Sequence, residues 1–238
     1  MRRVLLVAVA ALSLAACGGS DRAHVNDKVK FSSSAYGAAA SPRVTRSRNV
    51  PRGGGRRLVG KPYKIRGRWY HPKEDPSYDR RGLASWYGPN FHGRKTANGE
   101  IYDQYAFSAA HPTMPLPSYA RVTNMKNGHS TIVRVNDRGP YHGERVIDLS
   151  GAAAKRLGYR QTGIADVRVQ YIGPAPLHAR DRRYLKRSHR TYDPRKLSVA
   201  DAARKAKRRA KANLSSRFIL SLRAHEQPTE PASLAAAR

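Results

Sequence analysis

A small, mostly β barrel of six short strands and one short helix, flanked by two disordered basic arms, is the architecture that the 238-residue sequence predicts. Three observations lead there. Residues 80–175 carry short runs in which apolar and polar side chains alternate with period two, the pattern of half-buried strands. Gly-Pro, Asn-Gly and His-Pro pairs punctuate those runs at close intervals, as turns do. Composition then changes on either side. Residues 18–79 are rich in Ser, Ala, Gly, Pro and Arg without apolar periodicity, and residues 176–238 are again strongly basic. Such stretches predict a disordered linker and a largely disordered or partly helical tail.

Gly82-Leu-Ala-Ser-Trp-Tyr87 is the first strand and stops at Gly88-Pro89. Tyr105 to Ala109 reads as a short second strand ended by His111-Pro112. Ala120 to Met125 and Ser130 to Val135 flank Lys126-Asn127-Gly128-His129, where Asn-Gly predicts a type I′ hairpin turn with two positive φ angles. Arg145 to Leu149 is the next strand. Ser150 caps a helix reaching about Leu157, and Gly158 stops it. Ala165 to Ile172 alternates cleanly and ends at Gly173-Pro174. Six short strands of this kind bury their edges best by closing on themselves.

The leader fixes the compartment. Arg2 and Arg3 precede an apolar run from Val4 to Ala16, too short for the ~20 residues a spanning helix needs. Leu14-Ala15-Ala16-Cys17 holds the one cysteine of the chain and resembles the lipobox of bacterial lipoproteins. The resemblance implies that residues 1–17 form a lipoprotein signal and that Cys17 is acylated. An ordinary secretory signal that happens to contain a cysteine is the alternative. Gly18, in place of an inner-membrane retention aspartate, implies a lipid anchor in the outer membrane, facing the periplasm. The formal charge of +30 would otherwise suggest nucleic acid. Export argues against that partner and points instead to anionic envelope polymers, including wall carboxylates. Simple solvated arms are the alternative.

Asp137 ends an apolar strand and precedes Gly139-Pro140, which places it at a barrel mouth. A turn aspartate bonding its own backbone has the same spacing, and the residues alone leave both readings open. Glu100 follows the Asn98-Gly99 turn, and a solvated loop carboxylate would look the same. His111 before Pro112 reads as a strand terminator or a groove residue. No metal and no cofactor are expected. The nine histidines are scattered, and no His-Glu-x-x-His, paired-cysteine or phosphate-loop spacing occurs.

Ala84-Ser-Trp-Tyr-Gly88, Thr96-Ala-Asn-Gly-Glu100, Ala109-Ala-His111, Asn136-Asp-Arg-Gly-Pro140 and Ile147-Asp-Leu-Ser150 follow one another in an order that resembles the rare lipoprotein A family. That resemblance implies a double-psi β-barrel, related to barwin and expansins. It further implies an endolytic lytic transglycosylase that cuts the MurNAc–GlcNAc bond of peptidoglycan glycan strands, with 1,6-anhydro-MurNAc formation, in wall remodelling or daughter-cell separation. Asp137 matches the family's catalytic acid, Glu100 a second active-site carboxylate, and His111 a groove histidine that positions substrate or bonds a carboxylate. Asp103 and Asp148 support the site. A second carboxylate near Asp137 would raise its pKa and keep it protonated. Trp86, Tyr87, Tyr102 and Tyr141 would stack on sugar rings, with core packing as the alternative for at least half of them. Leu116-Pro117-Ser118-Tyr119 departs from the family's usual Gly-Thr turn, and the short basic tail predicts no SPOR domain. A non-catalytic, expansin-like wall binder and an outer membrane-to-wall tether compete with the enzyme reading.

Overall fold

The structure is a computed structural model that describes residues 40–197. Cys17, its leader and the basic run at 204–211 lie outside the described residues. In chain order the elements are β1 (Tyr63–Ile65), β2 (Arg68–Tyr70), β3 (Asp79–Tyr87), β4 (Ser108–Ala110), β5 (Ser118–Asn124), β6 (His129–Asp137), β7 (Arg145–Ser150), α1 (Gly151–Arg156), β8 (Ala165–Pro174), α2 (Arg182–Arg187) and β9 (Arg190–Thr191). Strands β4, β7, β3, β8, β5 and β6 pair in that order, and a β4–β6 pairing closes the ring. This is the six-stranded barrel that the alternation predicts. Two of its pairings are parallel, β3 with β7 and β4 with β6, and the others are antiparallel.

Alternation fills the interior. Ala84, Val122, Val133, Val135, Ile147, Leu149, Val167 and Val169 all point inward and are fully buried. The stiff β-branched side chains suit a pleated, two-sided wall. α1 covers the β7 end, where the Ser150 hydroxyl accepts the Ala153 amide and Gly158 leaves the helix at φ +79°.

The structure departs from the sequence reading at two turns. Residues 105–107 do not pair as a strand, because Asp103 accepts the Tyr105 amide on Oδ1 and the Ala106 amide on its carbonyl. That local turn delays β4 until Ser108. At the β5–β6 connection, positive φ falls on Gly128 and not on Asn127. The loop is a wider one, closed by the Gly128 amide on the Asn124 carbonyl. Asn127 is drawn away because its Nδ2 donates to the Leu157 carbonyl.

The larger difference is in the flanks. Residues 40–79, expected to belong to a disordered linker, lie along the barrel. Arg43 donates to the carbonyls of His92 and Asn90 at 2.6 and 2.9 Å. Leu58 and Leu116 exchange both backbone hydrogen bonds, and β1 and β2 form a hairpin. The described part of the basic tail is also ordered. Asp181 takes bonds from Tyr119 and Arg134, and Leu185 joins the core. The physical reason lies in β6. Short β4 covers its Arg134–Asp137 end, so the other end presents unpaired backbone. Ser188 accepts the Ile132 amide, and β9 pairs with His129 and Ser130. The C-terminal flank thus covers an edge that would otherwise stay open.

Candidate active site

β6 ends at Asp137 and brings three polar residues to one end of the barrel. Arg134 and Asn136 share one face of the strand by the two-residue repeat. The Thr96–Glu100 turn packs against this end, with the Thr96 amide on the Glu100 carbonyl and the Asn98 amide on the Asn136 carbonyl.

Asp137 is half-buried, and its Oδ1 accepts two backbone amides, Ala97 and Arg138, each at 2.8 Å. Burial raises its pKa to about 6, against which the two amides and the Arg138 charge pull down only partly. With both donors on Oδ1, the proton of the acid form goes to Oδ2. The guanidinium of Arg138 does not pair with this carboxyl. It donates to the carbonyls of His111, Met114 and Val59. The arginine beside the acid is therefore turned into structure, and Asp137 is free to carry a proton near neutrality.

Glu100 is a different kind of carboxylate. It is 4% exposed, and Arg134 grips it with Nη2 on Oε1 at 2.6 Å and Nε on Oε2 at 3.0 Å. Asn98 and Asn136 each add a bond. Burial alone would raise its pKa, but the Arg134 and Asn136 bonds outweigh burial and hold it below the ordinary range. Glu100 is thus locked in the anionic form. The expectation that a second carboxylate raises Asp137 gives way to a different cause, since the Arg134 pair neutralises Glu100 and burial does the raising.

His111 is almost wholly buried, with Nδ1 accepting the amides of Thr113 and Met114 and Nε2 at 2.9 Å from the Tyr78 hydroxyl. Those two acceptor bonds place the ring proton on Nε2, which donates to Tyr78. Burial, with help from Arg138, lowers its pKa to about 3, so the ring stays neutral. Its amide donates to the Asp137 carbonyl at 3.0 Å. Asp103 organises the 103–106 turn and lies 4.0 Å from His92 Nδ1. Asp148, expected to support the site, accepts the Ser85 hydroxyl and the Arg145 guanidinium.

The aromatic residues separate into three places. Tyr102 is buried and stacks on Tyr87 at 4.1 Å between ring centroids, which is core packing. Trp86 donates to the Arg160 carbonyl and lies under the Arg160 guanidinium. Tyr141 meets Tyr63 and Tyr70 edge to face at 6.1 and 5.6 Å. Sequence reasoning missed Tyr63, Tyr70 and Tyr78 because they stand in the basic N-terminal flank. It also missed Arg134, although its spacing of two from Asn136 on a strand was a usable signal.

Residues 79–169 match the family described as lytic transglycolase. The chain is similar to "Endolytic peptidoglycan transglycosylase RlpA" of Pseudomonas aeruginosa strain UCBPP-PA14, at 60% identity over 48% of this chain and 33% of that protein. It is 58% identical to the protein of the same name from Neisseria meningitidis serogroup A, over 47% of each. The Rickettsia bellii protein of that name is 44% identical over 54% of this chain and 56% of that one. The chain thus spans between a third and just over half of these relatives' length. Among solved structures, a Streptomyces papain inhibitor is similar at 23% identity and a TM-score of 0.36, over 42% of this chain and 99% of the inhibitor. The barrel at residues 79–169 is a double-psi β-barrel domain and belongs to the rare lipoprotein A family.

Proposed function

We propose that the chain is an endolytic peptidoglycan transglycosylase in which Asp137 is both acid and base. The observation that carries this reading is a carboxyl at a strand end, bound through one oxygen and with a pKa of about 6. Oδ2–H protonates the O4 leaving oxygen as the C1–O4 bond of MurNAc breaks. The C6 hydroxyl of the same sugar then attacks C1, and the Asp137 carboxylate takes its proton. A 1,6-anhydro ring closes, no water is consumed and the acid is regenerated. No cofactor takes part.

Glu100 serves as a positioning residue in this reading. Its anion holds Arg134, Asn136 and Asn98 in one network, and that network fixes the Thr96–Glu100 turn whose Ala97 amide binds Asp137. His111, bonded to the Asp137 carbonyl and to Tyr78, positions the strand end from the other side. Acylation of Cys17 would hold the enzyme in the outer membrane facing the wall, where the substrate is, and the basic arms would add diffuse attraction to anionic envelope polymers. Lipid labelling that survived Cys17→Ala would remove the anchor from this picture.

Digestion of purified sacculi tests the reaction. The wild-type chain should release anhydro-muropeptides, and Asp137→Asn should release none. Reducing-end products would make the protein a hydrolase. Binding without release by the wild type would make it an expansin-like binder.

A further inference from the structure

Asp181 stands where an aspartate ordinarily caps a helix, and it caps nothing. It immediately precedes α2, the position from which a short acidic side chain takes a backbone amide of the first turn. Its carboxylate makes no such bond. It turns onto the barrel instead, where Oδ2 accepts Arg134 Nη1 at 3.0 Å and the Tyr119 hydroxyl at 2.9 Å. Asp181 and Arg134 are only 9% and 4% exposed. Leu185, whose amide bonds the Asp181 carbonyl, packs in the core and keeps the carboxylate in place.

Arg134 carries that contact toward the acid. With Nη1 on Asp181, its Nε and Nη2 grip Glu100. A guanidinium bound along two edges is fixed in its own plane, which one carboxylate alone does not achieve. Glu100 in turn takes Asn98 Nδ2, and the Asn98 amide bonds the Asn136 carbonyl. The neighbouring Ala97 amide then donates to Asp137 Oδ1. A cavity of about 60 Å³ adjoins Arg134 and Glu100, with Ala179, Asp181 and Leu185 of the C-terminal flank along one side. Loss of the Asp181 charge would strand Arg134 Nη1 and favour water beside it, and water weakens the hold on Glu100.

We propose that Asp181 is a positioning residue for the acid. It fixes Arg134, and through Glu100 and the Thr96–Glu100 turn it sets the Ala97 amide that orients the Asp137 carboxyl. The inference rests on the transglycosylase reading for its reaction. Its consequence is that the catalytic unit extends beyond the barrel domain at residues 79–169 into the C-terminal flank.

The test uses the full-length chain and reads two quantities, hydrogen exchange of the Ala97 amide and the kinetics of cleavage of soluble glycan. Asp181→Asn keeps the size of the side chain and removes its charge. Ala97 exchange should quicken by about tenfold, and kcat should fall by about tenfold with KM within about twofold of wild type. Tyr119→Phe leaves the charge and frees the carboxylate on one side, so both effects should recur at smaller size; this variant serves if the first does not fold. Ser188→Ala removes the bond that the same flank makes to the Ile132 amide, away from Arg134. It should lower the melting temperature and leave Ala97 exchange and kcat near wild type. Unchanged exchange or unchanged kcat in the Asp181 and Tyr119 variants would overturn the proposal. So would a Ser188 variant that matches Asp181→Asn in both, because the flank would then act only as a cover. Exchange needs no substrate, which keeps the two ideas apart. Faster exchange in a protein whose wild type releases no anhydro products removes the transglycosylase reading and leaves the route from Asp181 to Asp137 standing.

Discussion

Arg134 and Glu100 form a two-pronged ion pair inside the barrel wall, each only 4% exposed. Asp181 from the C-terminal flank takes another Arg134 nitrogen at 3.0 Å. A pair this deep is sensitive to loss of one partner, which strands the other charge away from water. Glu100→Gln should therefore cost about 3 kcal/mol in urea unfolding. Turnover should fall while the pH at which activity declines stays near that of the wild type, because Glu100 positions the acid and does not titrate. A shift of that pH would instead make Glu100 a proton-transfer group.

Activity should follow the protonated fraction of Asp137. With a pKa of about 6, kcat/KM on soluble glycan should be level below that pH and fall about tenfold per unit well above it. A pH–rate profile checks this. A decline that begins near pH 4 would mean that the acid is unperturbed.

Asp137→Asn should be inactive yet more stable at pH 7 to 8. The folded-state pKa of about 6 lies above the ordinary 3.8, so the native protein binds the proton more tightly than the unfolded chain. Wild-type stability attributable to this group therefore rises as pH falls through 6 and stops rising below about 4. Glu100, with its lowered pKa, has the opposite sign, and its contribution is lost only as the pH falls further. Thermal melts should show the advantage of the Asn variant shrinking between pH 6 and pH 4. A constant difference would assign it to packing.

Gly55 crosses directly over the pair, and a Cβ there would stand 2.7 Å from Glu100 Cγ and 2.8 Å from Asn98 Nδ2. Gly55→Ala should lift residues 51–57 off the barrel at a cost of about 1–3 kcal/mol. Faster tryptic cleavage at Arg52, Arg56 or Arg57 in the folded protein would report it. Unchanged cleavage and melting would show that the strap has room to shift.

A fragment of residues 80–175 contains every barrel strand but β3's first residue, and should still melt well below residues 40–197. It lacks the Leu58–Leu116 exchange, the Ser188 bond to Ile132 and the Asp181 bond to Arg134. Equal melting temperatures would return both flanks to the status of passive tails.

The barrel was legible because its strands advertise themselves locally. Val122, Val135, Val167 and Val169 are buried and each stands between polar neighbours, and Ser150 and Gly158 bracket α1. The flanks were not legible because backbone bridges and arginine-to-carbonyl bonds hold them, and these leave no period in the sequence. Arg43 on His92 and Leu58 on Leu116 are contacts of that kind. At the site, Asp137 could be placed at a strand end from its neighbours. The state of Glu100 could not, since it depends on an arginine 34 residues away. The turn at Asn127-Gly128 misled for a similar reason, since a distant carbonyl, that of Leu157, competes for Asn127.

The parallel pairings of the ring carry a kinetic consequence. Ala84 pairs with Ile147, and Ser108 with Arg134, so each closing contact joins stretches far apart in sequence with other barrel strands between them. The β5–β6 hairpin can form early, but it buries little until β4 and β8 pair along its two sides. Such a topology has a high contact order and folds slowly and all at once. A chain emerging from synthesis would stay unstructured until residues beyond 170 were available. That delay keeps it threadable through a narrow channel.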